Sequence, residues 1–545
     1  MHKKPKPRVS QPALLILPIL LAAAITLDGC RQLPIPEPST PEPSEATGDY
    51  SEPVASPPIA TPVGTGRFTL RYDSKTTLNP ITALNRDNIL LSSLMYESLF
   101  ILDGALEPEQ VLCSEWATED NIVYYLEILP GVPMTNGTFL TADDVAYTLK
   151  QAMQRGRYVN RLSGVSSVSA ENELSVKITL RAPNSRFTRL LDIPIIKNGS
   201  IDNRVPPGTG PYFLVESDET ATLEPFTGHR DYALLPFDVV HLIECMDDEL
   251  TQLFDDGEIS LLLDDPSDAF DITLNRLPEK RYFETTTIQF IGFNAREGVM
   301  RSPDVRRAIG CSIDRDYIVS EIFSGQAVAA PLPISPCFSL YDKDWEKRDL
   351  DPLSEMTLLL RRAYMDDYNE DSYLEISDGY QTYSSFSLDF IVNSENTTRV
   401  RAANEISDTL RQYGFRINLR ELPWDAFLNA LKSGDFDMYY GEITLGADFD
   451  LSPLLIPGAL NYGGTSTTAY KQFTDPFLSA ATDYDTREAA VELIKEITEQ
   501  APFVPILYKR YVVYSPMGAI SGAHPGQSNV FRNLSEWTIN FRMLS

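Results

Sequence analysis

Histidine and cysteine are scarce in this chain of 545 residues, which has four histidines and five cysteines. The histidines are scattered and no two cysteines have the CxxC spacing, which disfavours a zinc site, a thiol redox centre and a Ser-His triad. The sequence has no GxxxxGKS/T loop, no GxGxxG turn in a βαβ setting, and no HExxH or GxSxG motif. The sequence therefore predicts a protein that binds no metal or cofactor and is not an enzyme. A surface hydrolase with an acid pair stays an alternative, because carboxylates are plentiful.

Basic residues are also few. Lysine and arginine number 46 against 77 acids, and the formal net charge is −31. Such a surface repels nucleic acid and anionic headgroups, so we expect no nucleic-acid partner. Hydrophobic residues make up 43% and charged residues 23%, an ordinary composition for a folded protein with an ample core. The length predicts more than one domain.

A hydrophobic run is prominent at the amino terminus. Residues 13–25 are apolar and follow four basic residues, but the run is too short to span a bilayer and is typical of a signal peptide, predicted here over residues 1–29. It ends in LDGC, which resembles a bacterial lipoprotein box, although Asp28 departs from the usual small or neutral residue. We predict that Cys30 is lipidated. Ordinary secretion is the alternative.

Residues 30–66 are predicted to be a disordered tether, because prolines recur there among serine, threonine and glutamate without apolar periodicity. At about 3.1 Å per residue its reach is on the order of 110 Å. Four cysteines remain beyond it: Cys113, Cys245, Cys311 and Cys337. Buried free thiols are favoured for them, and one disulfide stays open.

The stretch 288–315 lies near the middle of the chain and predicts a buried strand, a turn at Asn294 and a helix opened by Ser302, Pro303 and Asp304. Before it, strands with few helices predict a first lobe. After it, strand and helix patterns alternate through residues 386–440, which predicts a second, α/β lobe with a largely parallel sheet. The apolar run 503–514 predicts a strand that returns to the first lobe.

Six blocks in this order resemble the family 5 extracellular solute-binding proteins, the peptide-binding components of ABC importers. The blocks are LNP with MYESLF (residues 78–100), LPGV through TADDV (129–145), GTGPY (208–212), IGFN (291–294), DVRRAI with IDR (304–315) and KSGDFD (432–437). The match extends from residue 67 to the carboxyl terminus.

The resemblance implies an α/β, two-lobe, periplasmic-binding-protein-like fold that closes like a flytrap, with an extra subdomain in the first lobe. Lobe I would comprise residues 67–292 and 509–545, and lobe II residues 293–508. The chain would cross between them at a hinge formed by Phe293, Asn294, Tyr508 and Lys509.

The implied function is capture of oligopeptides or similar solutes and their delivery to ABC permease subunits. Such a protein would be a monomer held by its lipid on the outer face of the cytoplasmic membrane, at the cell surface or in the periplasmic space. A receptor of the same fold that senses a solute without importing it is the second alternative.

The resemblance also implies ligand-binding residues. After the strand that ends at Tyr440, the residues Asp448, Phe449 and Asp450 resemble the segment that holds a ligand's free amino terminus. An enclosed ammonium group loses its water and needs a carboxylate in return. Asp448 fits best and Asp450 is the alternative; both could also be ordinary loop carboxylates. Residues 441–443 lack the tryptophan that often lines the pocket, which leaves ligand preference open.

Overall fold

A computed structural model of the protein describes residues 67–265, 272–379 and 382–544, so the predicted signal peptide, Cys30 and the tether lie outside the described residues. Residues 67–265 form the following strands and helices: β1 Phe68–Arg71, β2 Phe100–Leu102, β3 Pro108–Gln110, β4 Cys113–Glu119, β5 Val123–Ile128, β6 Val165–Ala170, β7 Ser175–Leu180, β8 Tyr212–Glu216, β9 Ala221–Pro225, β10 Val240–Ile243, β11 Leu262–Asp264, α1 Arg86–Met95, α2 Ala142–Ala152 and α3 Leu250–Asp255.

Two four-stranded sheets dominate this part. One has the order β1-β10-β9-β8, in which only β1 and β10 are parallel, and the other is the antiparallel sheet β4-β5-β7-β6. Helix α2 packs on the second sheet. It starts with the capping box that the sequence predicts, in which the backbone amide of Thr141 donates to the carboxylate of Asp144. This second sheet and its helix form the extra subdomain of the first lobe.

The later residues form these strands and helices: β12 Pro278–Phe293, β13 Ala327–Ala329, β14 Met365–Asp366, β15 Glu375–Ser377, β16 Tyr383–Ser385, β17 Leu388–Asn393, β18 Ile417–Leu422, β19 Met438–Thr444, β20 Phe503–Pro516, β21 Ile520–Ser521, β22 Thr538–Ile539, α4 Pro303–Ser312, α5 Arg315–Tyr317, α6 Pro352–Arg362, α7 Thr397–Gln412, α8 Trp424–Ser433, α9 Ser452–Leu455, α10 Lys471–Ser479, α11 Asp483–Gln500 and α12 Phe541–Leu544.

The central sheet has the order β11-β20-β12-β19-β17-β18, with β13 added beside β20. Strands β17, β18 and β19 pair in parallel, as the alternating strand and helix pattern predicts. The prediction of a largely parallel sheet is wrong for the other half, because β12 runs antiparallel to both β19 and β20. Strands β12 and β20 carry the chain out to one lobe and back from it, which makes them antiparallel to each other.

Hydrophobic cores divide the described residues into two lobes. One core draws its members from residues 68–283 and 513–537, and a second draws them only from residues 291–507. A third core covers the other face of the central sheet, with members from 288–508 joined by Leu102 and Leu106 of the first lobe. The fold is therefore the two-lobe α/β arrangement expected of a periplasmic binding protein.

Strands β12 and β20 are long because they serve both lobes. β12 has 16 residues and β20 has 14, so each extends roughly 50 Å at about 3.3 Å per residue. Their pairing is irregular between Glu284 and Ile288. In that interval the hydroxyl of Thr285 donates to the carbonyl of Lys509 at 2.8 Å, and the hydroxyl of Thr286 donates to the carbonyl of Leu445 at 2.7 Å. Side-chain hydroxyls thus satisfy carbonyls where the strand ladder is interrupted.

Candidate ligand-binding site

A cavity of about 730 Å³, called here the cleft cavity, lies where the long strands pass between the cores. Thr285 and Thr287 of β12, Tyr511 of β20 and Thr444 of β19 line it. Its other walls come from the first lobe: α1 from Arg86 onward, residues 96–98, residues 229–231 and residues 527–535. Strands that join the lobes therefore form the back of this cavity.

The GTGPY loop holds one wall in place. The amide of Gly210 donates to the carbonyl of Met95 at 3.1 Å, and the hydroxyl of Tyr96 donates to the carbonyl of Pro206 at 2.8 Å. A Cβ on Gly210 would lie 2.3 Å from the carbonyl carbon of Met95, so only glycine permits this approach. The loop thereby fixes residues 96–98 against the cavity.

Glu97 is the best-paired acid of that wall. Its carboxylate accepts hydrogen bonds from the Arg230 guanidinium and, at 3.4 Å, from Nε2 of His229. The His229 Nδ1 accepts from the backbone amide of Asp231 at 3.1 Å, which leaves the proton on Nε2. Burial alone would raise the pKa of Glu97, but its bond to His229 and the Arg230 charge lower it overall. Glu97 is thus an anion whose charge is already balanced by neighbouring residues of the protein.

A second buried charge cluster lies at the back of the cavity. The Lys509 ammonium is 2.6 Å from Asp265 and 3.4 Å from Glu442, and Asp265 lines the cavity. Burial would raise the pKa of Asp265, yet the charges of Lys509 and Arg86 lower it to about 2. Glu442 also pairs with Arg399 at 2.7 Å. Lys509, a predicted hinge residue on β20, therefore forms ion pairs with two other segments of the chain, at Asp265 and at Glu442.

The other predicted hinge residues are packed side chains. Phe293 lies in the second core, and Asn294 donates its side-chain amide to the carbonyl of Gly434 at 3.1 Å. Tyr508 is fully buried and its hydroxyl donates to the carbonyl of Pro333 at 2.7 Å. Phe293 is the last residue of β12 and Asn294 follows it, so both lie beyond Ile288, where the irregular interval of that strand ends.

The predicted ligand segment lies where the two lobes touch. The Asp448 carboxylate accepts a hydrogen bond from the side-chain amide of Asn184 at 2.8 Å, and its backbone carbonyl accepts from Nε of Arg186 at 3.2 Å. Arg186 also donates to the carbonyl of Phe477 at 2.9 Å and lies 4.2 Å from the centre of the Phe477 ring. Asn184 and Arg186 belong to the first lobe, so these contacts join it to the second.

Charge is unevenly matched at this contact. Burial, followed by the charge of Asp448, raises the pKa of Asp450 to about 6. Burial also lowers the pKa of Arg186 to about 10, although both aspartates oppose that change. The side chain of Asp450 accepts only from the amide of Ser452, at 2.8 Å, among the described contacts. Two carboxylates therefore lie beside a guanidinium, that of Arg186, which donates to carbonyl groups.

Phe449 fills a packing position. It is 0% exposed, has a positive φ of 55° and places its ring 5.1 Å from Phe338 and 6.4 Å from Tyr508. Asp448, Phe449 and Asp450 are not among the residues that line the cleft cavity. The structure brings the three together at the lobe contact, and their role in ligand binding stays a prediction.

Sequence reasoning missed Asn184, Arg186 and Arg189. The guanidinium of Arg189 is 2.5 Å from Glu107 and 5.4 Å from the centre of the Phe338 ring. The three residues fall in the segment NSRFTR, which carries no motif, and the partners of Arg186 lie more than 260 residues away in the chain. Two arginines three residues apart beside buried apolar positions are the only local signal.

One group of acids could hold a metal among the described residues: Asp367, Asp371 and Glu375. Arg416 lies 3.0 Å from Asp371 and 3.5 Å from Glu375, so a guanidinium already supplies positive charge there. The cysteines at 113, 245, 311 and 337 are all free thiols, as the sequence favours, but only Cys113 is buried and the other three are half-buried. In the described part of the chain, no helix has the length and apolar character needed to cross a membrane.

Comparison with known proteins decides the family. The model for bacterial extracellular solute-binding proteins, family 5 (middle region), matches residues 107–466.

The chain belongs to the family 5 extracellular solute-binding proteins.

Relatives within this family share the fold across most of the chain. The glutathione-binding protein GsiB of Escherichia coli is 23% identical over 471 residues, covering 80% of this chain and 88% of GsiB. The oligopeptide-binding protein AppA of Bacillus subtilis, solved with a nonapeptide, has a TM-score of 0.62 and 19% identity over 88% of this chain and all of AppA. NikZ of Campylobacter jejuni, solved with Ni(L-His), has a TM-score of 0.64 and 19% identity over 87% of this chain and 99% of NikZ.

Family 5 membership confirms the resemblance drawn from the six sequence blocks. The protein is therefore a solute-binding protein of the bacterial extracellular type. GsiB and AppA are both named as binding proteins.

Proposed function

We propose that the protein captures a short peptide or a similarly sized solute in the cleft cavity, closes its two lobes on it and delivers it to an ABC permease outside the cell. The observation that carries the proposal is the position of that cavity beside the strands that join the lobes. Its volume of about 730 Å³ is typical of sites for small ligands, which commonly occupy about 300–1,000 Å³. Glutathione, which GsiB binds, is an example of this ligand class.

The acidic pair of Asp448 and Asp450 lies outside the lining of the cleft cavity, at the contact that joins the lobes. We propose that it holds a cationic group at the end of a ligand that extends from the cavity to this contact. Asp448 and Asp450 exceed the positive charge beside them, and the raised pKa of Asp450 shows that its anion is poorly stabilised. An ammonium group near both carboxylates would stabilise them as anions. A free amino terminus therefore suits this place, with Asp448 as the principal partner and Asp450 as the second.

The hinge is proposed to lie nearer the first lobe than the sequence predicts on the β12 side. Phe283 packs in the first core and Ile288 in the third, so the change of lobe falls between them, where pairing with β20 is irregular. On β20 the corresponding place is residues 509–511, which includes the predicted Lys509. A break in regular pairing lets a strand bend without losing ladder hydrogen bonds elsewhere.

Membrane attachment through Cys30 completes the proposal, because a lipid at the start of a long tether would keep the binding lobes close to a permease. We predict that Cys30→Ser releases the protein from membranes into the medium or periplasm, since the acyl chains would be absent. Fractionation followed by immunoblotting measures this. A variant that stays as membrane-bound as the wild type would contradict the lipoprotein assignment.

The ligand is tested by mass spectrometry of small molecules that co-purify with the full-length Cys30→Ser protein. We expect a peptide or peptide-like solute, released on denaturation in near-equimolar amount. Calorimetry with the synthetic compound then tests binding directly. Cleavage of that compound during incubation would instead favour a hydrolase, and tight binding by a protein whose loss leaves uptake of the compound unchanged would favour a sensing receptor.

A further inference from the structure

A second cavity, called here the outer cavity, lies entirely within the second lobe and has a volume of about 520 Å³. Helices α4, α6 and α11, residues 345–350 and the first residues of β20 form its walls. It shares no lining residue with the cleft cavity. An occupant of this place would therefore be distinct from the solute bound between the lobes.

The outer cavity is basic in a strongly acidic protein. The whole chain has 46 basic and 77 acidic residues. The lining instead has more basic than acidic side chains: Arg307, Arg315, Lys347, Arg348, Arg362 and Lys495 against Glu346, Asp349, Glu355 and Glu499. Concave sites lined by one excess charge concentrate ligands of the opposite sign. The lining thus favours an anion.

Two guanidinium groups of this lining share one carboxylate. Glu355 lies 3.1 Å from Arg307 and 3.3 Å from Arg348. Arg307 also has Asp304 at 3.6 Å, outside the cavity, and its Nε is buried without a hydrogen-bond partner among the described residues. A buried donor without an acceptor is unfavourable, and an anionic oxygen would supply the missing acceptor.

Arg315 has carbonyl partners only. It donates to Pro505 at 3.0 Å, to Ala330 at 3.2 Å and to Gly310 at 3.2 Å. Among the described residues no carboxylate lies within 4.0 Å of Arg315, whereas Arg307 and Arg348 each have at least one. Burial, and next the charge of Arg348, lower its pKa to about 10, so it remains a cation at neutral pH. In the described parts of the chain, no carboxylate forms an ion pair with it at contact distance.

Apolar side chains form the rest of the outer cavity. Leu332, Leu359, Ile494 and Phe503 are buried around it, and Trp345 lines it from the loop that also carries Arg348. At its rim Leu350, Leu358 and Val491 are about 40% exposed. An occupant with an apolar body would cover these side chains while its charged end reached the arginines.

We propose that the outer cavity is a second ligand site of this protein, which binds a small amphipathic anion: a carboxylate or phosphate attached to an apolar body. Arg315 and Arg348 hold the anionic group, Arg307 supplies a third donor, and the leucine and phenylalanine side chains hold the apolar body. The site stands independently of the solute carried in the cleft.

Calorimetry with the full-length Cys30→Ser protein tests the site, using octanoate, octyl phosphate and 1-octanol as probes. We expect one of the two anions to bind with a stoichiometry of one, at least tenfold more tightly than the neutral alcohol. Octanoate and octyl phosphate distinguish a carboxylate site from a phosphate site. Failure of both anions to bind at millimolar concentration, or equal binding of 1-octanol, would overturn the proposal.

Matched arginine variants locate the bound probe. Arg348→Gln removes a cation from the outer cavity, whereas Arg157→Gln removes an exposed one from the cleft cavity. We expect the first to weaken anion binding at least tenfold and the second to leave it unchanged. The opposite result would place the anion in the cleft and overturn the outer site. Thermal unfolding verifies that both variants fold. Binding of the probe should also change the tryptophan fluorescence, because Trp345 lines the outer cavity, and Trp345→Phe should remove that change.

Discussion

Asp448 and Asp450 place two carboxylates in a contact from which water is largely excluded, and Asp448 itself is only 3% exposed. Arg186, the guanidinium that contacts this segment, donates to the carbonyls of Asp448 and Phe477 and to neither carboxylate among the described contacts. The protein thus keeps negative charge here that its own residues neutralise incompletely. Such a place suits the ammonium group of a ligand and makes the two aspartates sensitive to substitution.

We predict that Asp448→Ala weakens binding of a free-amine peptide by about 3–5 kcal/mol, because one partner of a buried ion pair is removed. Asp448→Asn is the matched control, since its amide oxygen still accepts from Asn184 but carries no charge. Both variants should bind an N-acetylated peptide as wild type does. Calorimetry with both peptide forms decides this, and equal wild-type affinity for the two forms would remove the anchor role from both aspartates.

Asp450 should make stability depend on pH. Its pKa is raised to about 6 in the folded protein, against about 4 in an unfolded chain, so the folded state binds the extra proton between these values. Stability should therefore fall as pH rises from about 4 to about 6 and then level off. We predict that wild type loses stability relative to Asp450→Asn across that interval, as measured by urea unfolding. A constant difference between the two proteins would contradict the raised pKa.

At the scale of elements, the contact between β12 and β19 depends on two glycines that lie under aromatic rings. Gly292 pairs with Tyr439, and Gly441 pairs with Phe290. A Cβ on Gly292 would lie 2.2 Å from the Tyr439 ring, and one on Gly441 would lie 2.6 Å from the Phe290 ring. The absence of side chains lets each ring lie flat across the neighbouring strand, which tightens the sheet that carries the hinge strands.

We predict that Gly292→Ala destabilises the protein by about 1–3 kcal/mol, the usual cost of forcing atoms into a packed site. Denaturant unfolding measures it. In a Tyr439→Ala background the same change should cost much less, because the ring that blocks the new methyl group is absent. Equal costs in both backgrounds would show that the ring is not the obstacle.

At the scale of the whole molecule, we expect the two lobes to close further when a ligand binds between them. The amide of Ser185 donates to the carbonyl of Leu478 at 2.8 Å, and Asn184 and Arg186 reach the loop of Asp448. Few side chains make these contacts, and a ligand that bridges both lobes would add to them. We predict a smaller radius of gyration with saturating ligand by small-angle scattering. An unchanged scattering profile would argue against closure.

Much of the fold follows from short patterns. The capping residues Thr141 and Asp144 mark a helix that the structure contains, and the periodicity of residues 397–413 corresponds to α7 within one residue. These signals act between neighbours in the chain, so they survive without knowledge of the tertiary structure. The six family blocks then indicated the two-lobe architecture as a whole.

The sequence by itself determined the family, the two-lobe fold class and the absence of the catalytic motifs that were sought, because each is written in local residue patterns. Only the tertiary structure decided that β12 runs antiparallel to its neighbours, that its pairing with β20 is irregular near Thr285, and that Asp448 meets Asn184 and Arg186. Those partners are 264 and 262 residues from it. Contacts over such separations depend on how distant elements pack, and no local pattern encodes them.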